Sequence, residues 1–148
     1  MFVGSGFVTS SQLFLIKRGG SKSFDEAVSY CDGFGMHLPV PTGGSYVWSL
    51  TQLKHGEIWL GLSDEKSEGN WTNIYTGEPL HYKLLQQIEK NDSNYWFDGE
   101  PDNRGGVEHH AILNTDQKGK WNDVNKNESK NTICVLKSKY MSQIKIQK

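Results

Sequence analysis

Apolar positions along this chain recur first at strand spacing, then at helical spacing, then in short buried runs. Gln12-Leu-Phe-Leu-Ile16 predicts a first strand, ended by Gly19-Gly20. Ser23-Phe-Asp-Glu26 is a capping box: the serine hydroxyl accepts from the backbone three residues on while Glu26 reaches back. Phe24, Ala27, Val28 and Cys31 follow at helical spacing, predicting a helix to about Asp32 with Gly33 placed to stop it. Met36-His-Leu-Pro39 is expected to be extended. After the Pro41-Thr-Gly-Gly turn, Tyr46, Val47, Leu50 and Leu53 mark a second amphipathic helix ending near Gly56. Ile58 to Leu62 reads as a buried strand. The chain then alternates from Trp71 through Ile74, turns at Thr76-Gly77-Glu-Pro79 and returns with Leu80 and Tyr82. Ala111 to Leu113 and Thr132 to Leu136 complete the predicted strands. Short strands, two helices and a long loop excursion give an α+β domain.

Polar positions change the picture between Trp96 and Asp123. That stretch supplies Glu100, Asp102, Glu108 and Asp123 together with the neutral amide of Asn122. Hard cations such as calcium take six to eight oxygen ligands, and five oxygen-bearing side chains fill most of such a shell. Alternate side chains of an extended segment point the same way, so Glu100 and Asp102 can reach one ion across Pro101. Residue type alone leaves a solvated acidic loop equally open.

Trp59-Leu-Gly-Leu62, Asp64-Glu65, Glu68-Gly69, Trp71, the turn Gly99-Glu-Pro-Asp-Asn103, Trp121-Asn-Asp123 and Ile133-Cys134 stand in the order and near spacing of a C-type lectin-like domain, and the chain resembles that family from about Leu13 to Leu136. The resemblance implies the C-type lectin-like fold, two helices with short antiparallel sheets and a long calcium-binding loop region. It implies that Glu100, Asp102, Glu108, Asn122 and Asp123 bind calcium and, through it, two neighbouring hydroxyls of a sugar. Binding is then expected to vanish with chelator and in acid. Asp64, Glu68 and Asn103, with Glu108 shared, match an auxiliary calcium position where His109 replaces an acidic residue; a hard ion prefers oxygen to imidazole. The resemblance also pairs Cys31 with Cys134 in a disulfide, which implies an oxidising, extracellular setting. His110 and Lys126 stand at or near the places of the family's second disulfide, so the long loop is expected to depend on calcium for its order.

The centre of the site departs from the family. Members with Glu-Pro-Asn take mannose-like sugars and those with Gln-Pro-Asp take galactose-like ones, whereas this chain reads Glu100-Pro101-Asp102. Two ionised carboxylates cannot donate a hydrogen bond, which leaves Asn122 as the one side-chain amide among the five. The monosaccharide is therefore open.

Composition and charge narrow the remaining classes. The formal net charge is −1, and the overall balance does not suggest nucleic acid. No stretch approaches the ~20 apolar residues of a membrane span. Residues 1–11 read as linker or leader, 12–137 as the domain and 138–148 as a basic tail that forms an edge strand or is disordered. Met1 to Ser11 lacks the marks of a signal peptide, so either one was removed or the chain is a domain cut from a longer protein, the second being favoured. An insertion at 83–95 carries Leu84, Leu85 and Ile88 on one face of an expected short helix. Asn70, Asn91 and Asn127 open acceptor triplets for glycosylation. His109 and His110 are neighbours on an extended segment and face opposite ways, which argues against a shared zinc and against an enzyme. The expected role is calcium-dependent carbohydrate recognition by a secreted or cell-surface protein, with glycans as partners and repetition or oligomerisation supplying avidity. The alternative is the same fold binding a protein or another surface such as ice, with calcium serving structure only.

Overall fold

The structure, a computed structural model, describes residues 7–8, 13–14, 16–80 and 95–137. Nine strands and two helices are assigned there: β1 Phe7–Val8, β2 Leu13–Phe14, β3 Ile16–Lys22, α1 Phe24–Asp32, β4 Met36–His37, α2 Gly44–Thr51, β5 Glu57–Ser63, β6 Thr72–Asn73, β7 His110–Asn114, β8 Lys120–Val124 and β9 Lys130–Leu136. β1 and β2 pair with each other; the other strands form one sheet in the order β3-β9-β5-β7-β8, with β4 also on β9 and β6 on β5. Its pairs are antiparallel except β5 with β9, where Ile58 faces Asn131 in parallel. The expected α+β class holds.

β5 explains how the sheet carries two cores. Its successive side chains point to opposite faces, and all of Ile58, Trp59, Leu60 and Leu62 are fully buried. Ile58, Leu60 and Leu62 join Val47, Leu50 and Leu53 of the α2 segment, whereas Trp59 joins Phe24, Ala27 and Cys31 of α1. β7 repeats this division, with Ala111 and Leu113 on one side and Ile112 on the other. Burying a large side chain contributes roughly 1.5–3 kcal/mol, so a strand covered on both faces anchors the domain. Gly61 is the small member of that strand because a Cβ there would stand 2.8 Å from Val40 Cγ2 and 3.0 Å from Tyr75 Cε2.

α1 starts as its capping box predicts: Ser23 accepts from the Glu26 N–H and Glu26 accepts from the Ser23 N–H. Gly33 caps its end in a right-handed conformation, and the left-handed turn comes two residues later at Gly35, φ +69°. The disulfide Cys31–Cys134 ties α1 to β9.

Three sequence expectations are corrected. β3 does not end at Gly19-Gly20 but runs through them, with its register against β9 shifting between Arg18 and Gly20. Gly20 adopts φ +80° at this bulge, and a Cβ on Gly19 would stand 2.5 Å from the Tyr30 ring, so the glycines admit a bulge and a ring rather than a stop. α2 ends at Thr51, with Gln52 as its C-cap; Leu53 is buried from the turn beyond, and Lys54 and Gly56 take positive φ. β8 was not among the expected strands. The expected strand residue Tyr82, the 83–95 insertion up to residue 94 and the tail 138–148 lie outside the described residues.

Candidate functional site

β8 forms one edge of the main sheet's ordered path, paired on its other side by Ile112↔Asn122 and Ala111↔Asp123. Its outer flank is covered by the segment entering the acidic loop: Trp121 N–H donates to the Tyr95 carbonyl at 2.7 Å and Phe97 N–H to the Trp121 carbonyl at 2.9 Å. Below lies an aromatic cluster in which the Tyr95 and Trp96 rings sit 5.4 and 5.5 Å from that of Trp121, and Trp71 sits 5.1 Å from Trp96. Such contacts add about 0.5–1.5 kcal/mol each beyond the area they bury. The loop's first residues are thereby fixed to the strand that presents Asn122 and Asp123.

Asp123 is fully buried and organises the loop. Its Oδ1 accepts from Asp102 N–H at 3.2 Å and its Oδ2 from Asn103 N–H at 2.7 Å. Glu100 Oε1 accepts from the same Asp102 N–H at 3.1 Å, and the Glu100-Pro101 peptide bond is cis. Asn103 then takes a left-handed conformation, φ 46°, ahead of a 3-10 turn over Arg104–Gly106. Arg104 N–H donates to Asp102 Oδ1 at 3.2 Å and Glu108 Oε1 at 2.9 Å, closing the loop.

These bonds bring carboxylate oxygens of Glu100, Asp102 and Asp123 within 4.8 Å of one another. Glu108 joins through the Arg104 N–H, which it shares with Asp102. Burial, hydrogen bonding to Asp123 and repulsion by Asp102 and Asp123 push the Glu100 carboxyl up to about 7. Burial and the same two aspartates raise Glu108, against the opposing Arg104 N–H. Two carboxylates at such separations repel by roughly 3 kcal/mol at an effective dielectric of ~20, so the cluster takes up protons unless a cation offsets its charge. Asn122 Oδ1 is buried and has no hydrogen-bond partner. An unpaired buried amide oxygen is costly, and an oxygen-seeking cation is a partner it accepts. The donor set, four carboxylates and one amide, fits calcium by its chemistry.

The residues expected at an auxiliary position fall differently. Asp64 and Glu68 meet His109, in a second group whose donor atoms also lie within 4.8 Å of one another. Asn103 instead bridges the two groups: its Nδ2 donates to Glu68 Oε1 at 2.8 Å, and its Oδ1 accepts from Glu108 N–H at 3.0 Å. His110 faces the other way, as its position on the strand predicts. It is buried against Phe24, with ring centroids 4.2 Å apart, and burial lowers its pKa.

A family model described as Lectin C-type domain matches residues 20–136. The chain belongs to the C-type lectin domain family. The Cys31–Cys134 bridge fits the pairing that the family resemblance implied. Among curated relatives, pulmonary surfactant-associated protein D of Bos taurus is 37% identical over 121 residues, covering 79% of this chain and 29% of the relative. Salivary C-type lectin 2 of Aedes albopictus is 30% identical over 126 residues, covering 76% of each. The chain thus spans under a third of the first relative and about three quarters of the second. The carbohydrate-recognition domain of the mouse scavenger receptor C-type lectin shares the fold with a TM-score of 0.70 at 24% identity, covering 88% of this chain and 93% of that one. A calcium-independent type II antifreeze protein shares it with a TM-score of 0.69 at 18% identity, over 91% and 93%. The fold thus occurs both in carbohydrate recognition and without calcium. Among the described residues no helix is long and apolar enough to cross a membrane.

Proposed function

We propose that this domain binds carbohydrate through a calcium ion held by Glu100, Asp102, Glu108, Asn122 and Asp123. The observation that carries this reading is the convergence of Glu100 and Asp102 on the fully buried Asp123. Bound there, calcium would supply a Lewis-acidic centre for neighbouring sugar hydroxyls. The side chains do the recognition around it. Ionised Glu100, Asp102 and Glu108 accept hydrogen bonds from hydroxyl donors, and the Asn122 amide donates to a hydroxyl oxygen. Asp123, held by two backbone N–H groups, fixes the loop so that these groups arrive preorganised. With one amide among five groups, the site favours ligands that donate more hydrogen bonds than they accept. The surfactant and salivary relatives support an extracellular, glycan-directed role, and single sites of this kind need repetition for avidity.

A second reading is calcium-supported binding of a protein or other surface, favoured by Asp102, which puts a second carboxylate where sugar recognition calls for an amide. Calcium titration into chelator-stripped protein, repeated for Asp102→Ala and Asn122→Ala, with a glycan array read with and without chelator, separates the two. Calcium binding lost in the variants together with chelator-sensitive glycan signals is the expected result. Calcium binding without any glycan signal supports the second reading, and no calcium binding refutes the site.

A further inference from the structure

The carboxylate centre is short of hydrogen-bond donors. A sugar hydroxyl has one hydrogen and two lone pairs. Bound at an ion through one lone pair and giving its hydrogen to a carboxylate, it leaves the other lone pair in want of a donor. Two neighbouring hydroxyls therefore call for two donors, and of Glu100, Asp102, Glu108, Asn122 and Asp123 only Asn122 can donate once the carboxylates are ionised. The other polar side chains of the loop are largely committed. Asn103 turns its amide to Glu68 Oε1, 2.8 Å away. His109 is held as an ion pair between Asp64 and Glu68, at 3.0 and 3.4 Å, with its far nitrogen 3.3 Å from the Gly106 carbonyl oxygen. There remains Arg104, the one lysine or arginine between Trp96 and His110.

Its backbone is pinned to the cluster, since the Arg104 N–H donates to both Asp102 Oδ1 and Glu108 Oε1. Its side chain is not: Nη2 stands 3.7 Å from Asp102 Oδ2, beyond hydrogen-bond distance, and the side chain is 82% exposed. A guanidinium carries five N–H groups and no acceptor. We infer that Arg104 is the second donor of the site, giving a hydrogen bond to a hydroxyl oxygen of the bound sugar. Asp102 and Arg104 together then do what one amide side chain does alone, offering an oxygen to the ion and an N–H to the ligand. The inference rests on the carbohydrate reading above and narrows its ligand class. Four carboxylates outweigh a calcium ion and one guanidinium, so the field of the site stays negative and selects neutral sugars over those bearing carboxylate or sulfate. Were Arg104 there only to offset the charge of Asp102, removing it would strengthen calcium binding and leave sugar affinity as it was.

The test starts from a glycan array of the wild type in saturating calcium. Its strongest glycan is then titrated calorimetrically, again in saturating calcium, into wild type, Arg104→Ala, Asp102→Asn and the double variant. Calcium is titrated separately into chelator-stripped samples of each. The expected array signals are neutral glycans. Arg104→Ala should bind calcium at least as tightly as wild type, which also reports that it is folded, yet lose about tenfold or more in glycan affinity. In the Asp102→Asn background, where an amide is restored, the same change should cost less than about twofold. Glycan affinity unchanged by Arg104→Ala, an equal loss in both backgrounds, calcium binding lost with Arg104→Ala, or a preference for acidic glycans overturns the inference and leaves the sugar site standing. A wild type that binds calcium but no glycan overturns the carbohydrate reading and this inference together.

Discussion

Calcium binding at the carboxylate centre should release protons, and the amount can be worked from Glu100. Its carboxyl stands at about 7 in the metal-free protein, pushed up by burial and by Asp123 and Asp102. Such a group is about nine-tenths protonated at pH 6 and about one-tenth at pH 8. Calcium requires the anion, so affinity at pH 6 should be about tenfold weaker than at pH 8, ~1.4 kcal/mol. Glu108 is raised as well and adds in the same direction. The assay is calorimetry at both pH values in buffers of different ionisation enthalpy, which counts protons directly. Near one proton per calcium is expected at pH 6 and almost none at pH 8. Glu100→Gln should weaken binding at pH 8 yet flatten the dependence on pH. Equal affinity at pH 6 and 8, with no proton release at pH 6, would refute the reasoning. The same group fixes the sign for the metal-free fold. Because its folded pKa lies above the ordinary 4.5, the folded state holds more protons between those values, and stability falls as pH rises through that window. The unscreened figure is about 3 kcal/mol; solvent around this partly exposed group reduces it to about 1 kcal/mol.

Replacing Cys31 and Cys134 together by Ser should lower stability by ~4–5 kcal/mol in the chain-entropy account of a loop of about 100 residues, read as a fall in denaturation midpoint. Gly61→Ala should cost about 1–3 kcal/mol, since its Cβ would meet Val40 and Tyr75; an unchanged thermal midpoint would show that β5 has slack there. Ser23→Ala should cost ~1 kcal/mol by removing the α1 cap, measurable in urea. Trypsin should cut after the exposed Arg104 faster once chelator is added, and a rate indifferent to chelator would show that calcium does not order the loop.

Local chemistry made much of the fold legible. The capping box set the start of α1, and the apolar run at Ile58–Leu62 set β5, because each needs only neighbours in sequence. β8 escaped notice because Trp121, Asp123 and Val124 are all buried, and a buried aspartate breaks the apolar alternation that marks a strand. Its carboxylate is tolerated there only because two N–H groups from a loop 20 and 21 residues earlier meet it. The glycine pair in β3 was misread for a similar reason: whether Gly19 stops a strand or admits a ring depends on where Tyr30 comes to rest. The acidic residues of the candidate site were nameable from type and family resemblance. That His109 would join Asp64, 45 residues away, while Asn103 turned aside to bridge, is a matter of tertiary contact, on which spacing is silent.

The bridge between Cys31 and Cys134 also has a mechanical consequence. β3 and β9 lie antiparallel, so the chain enters and leaves the sheet side by side, with Ile16 opposite Val135. Tension applied through the two ends would peel these strands apart pair by pair, but extension stops at the covalent link. The 103-residue span it closes contains every acidic residue from Asp64 to Asp123. A tethered copy under load would lengthen only at its margins, and the surface that grips a ligand would carry force without being drawn out by it.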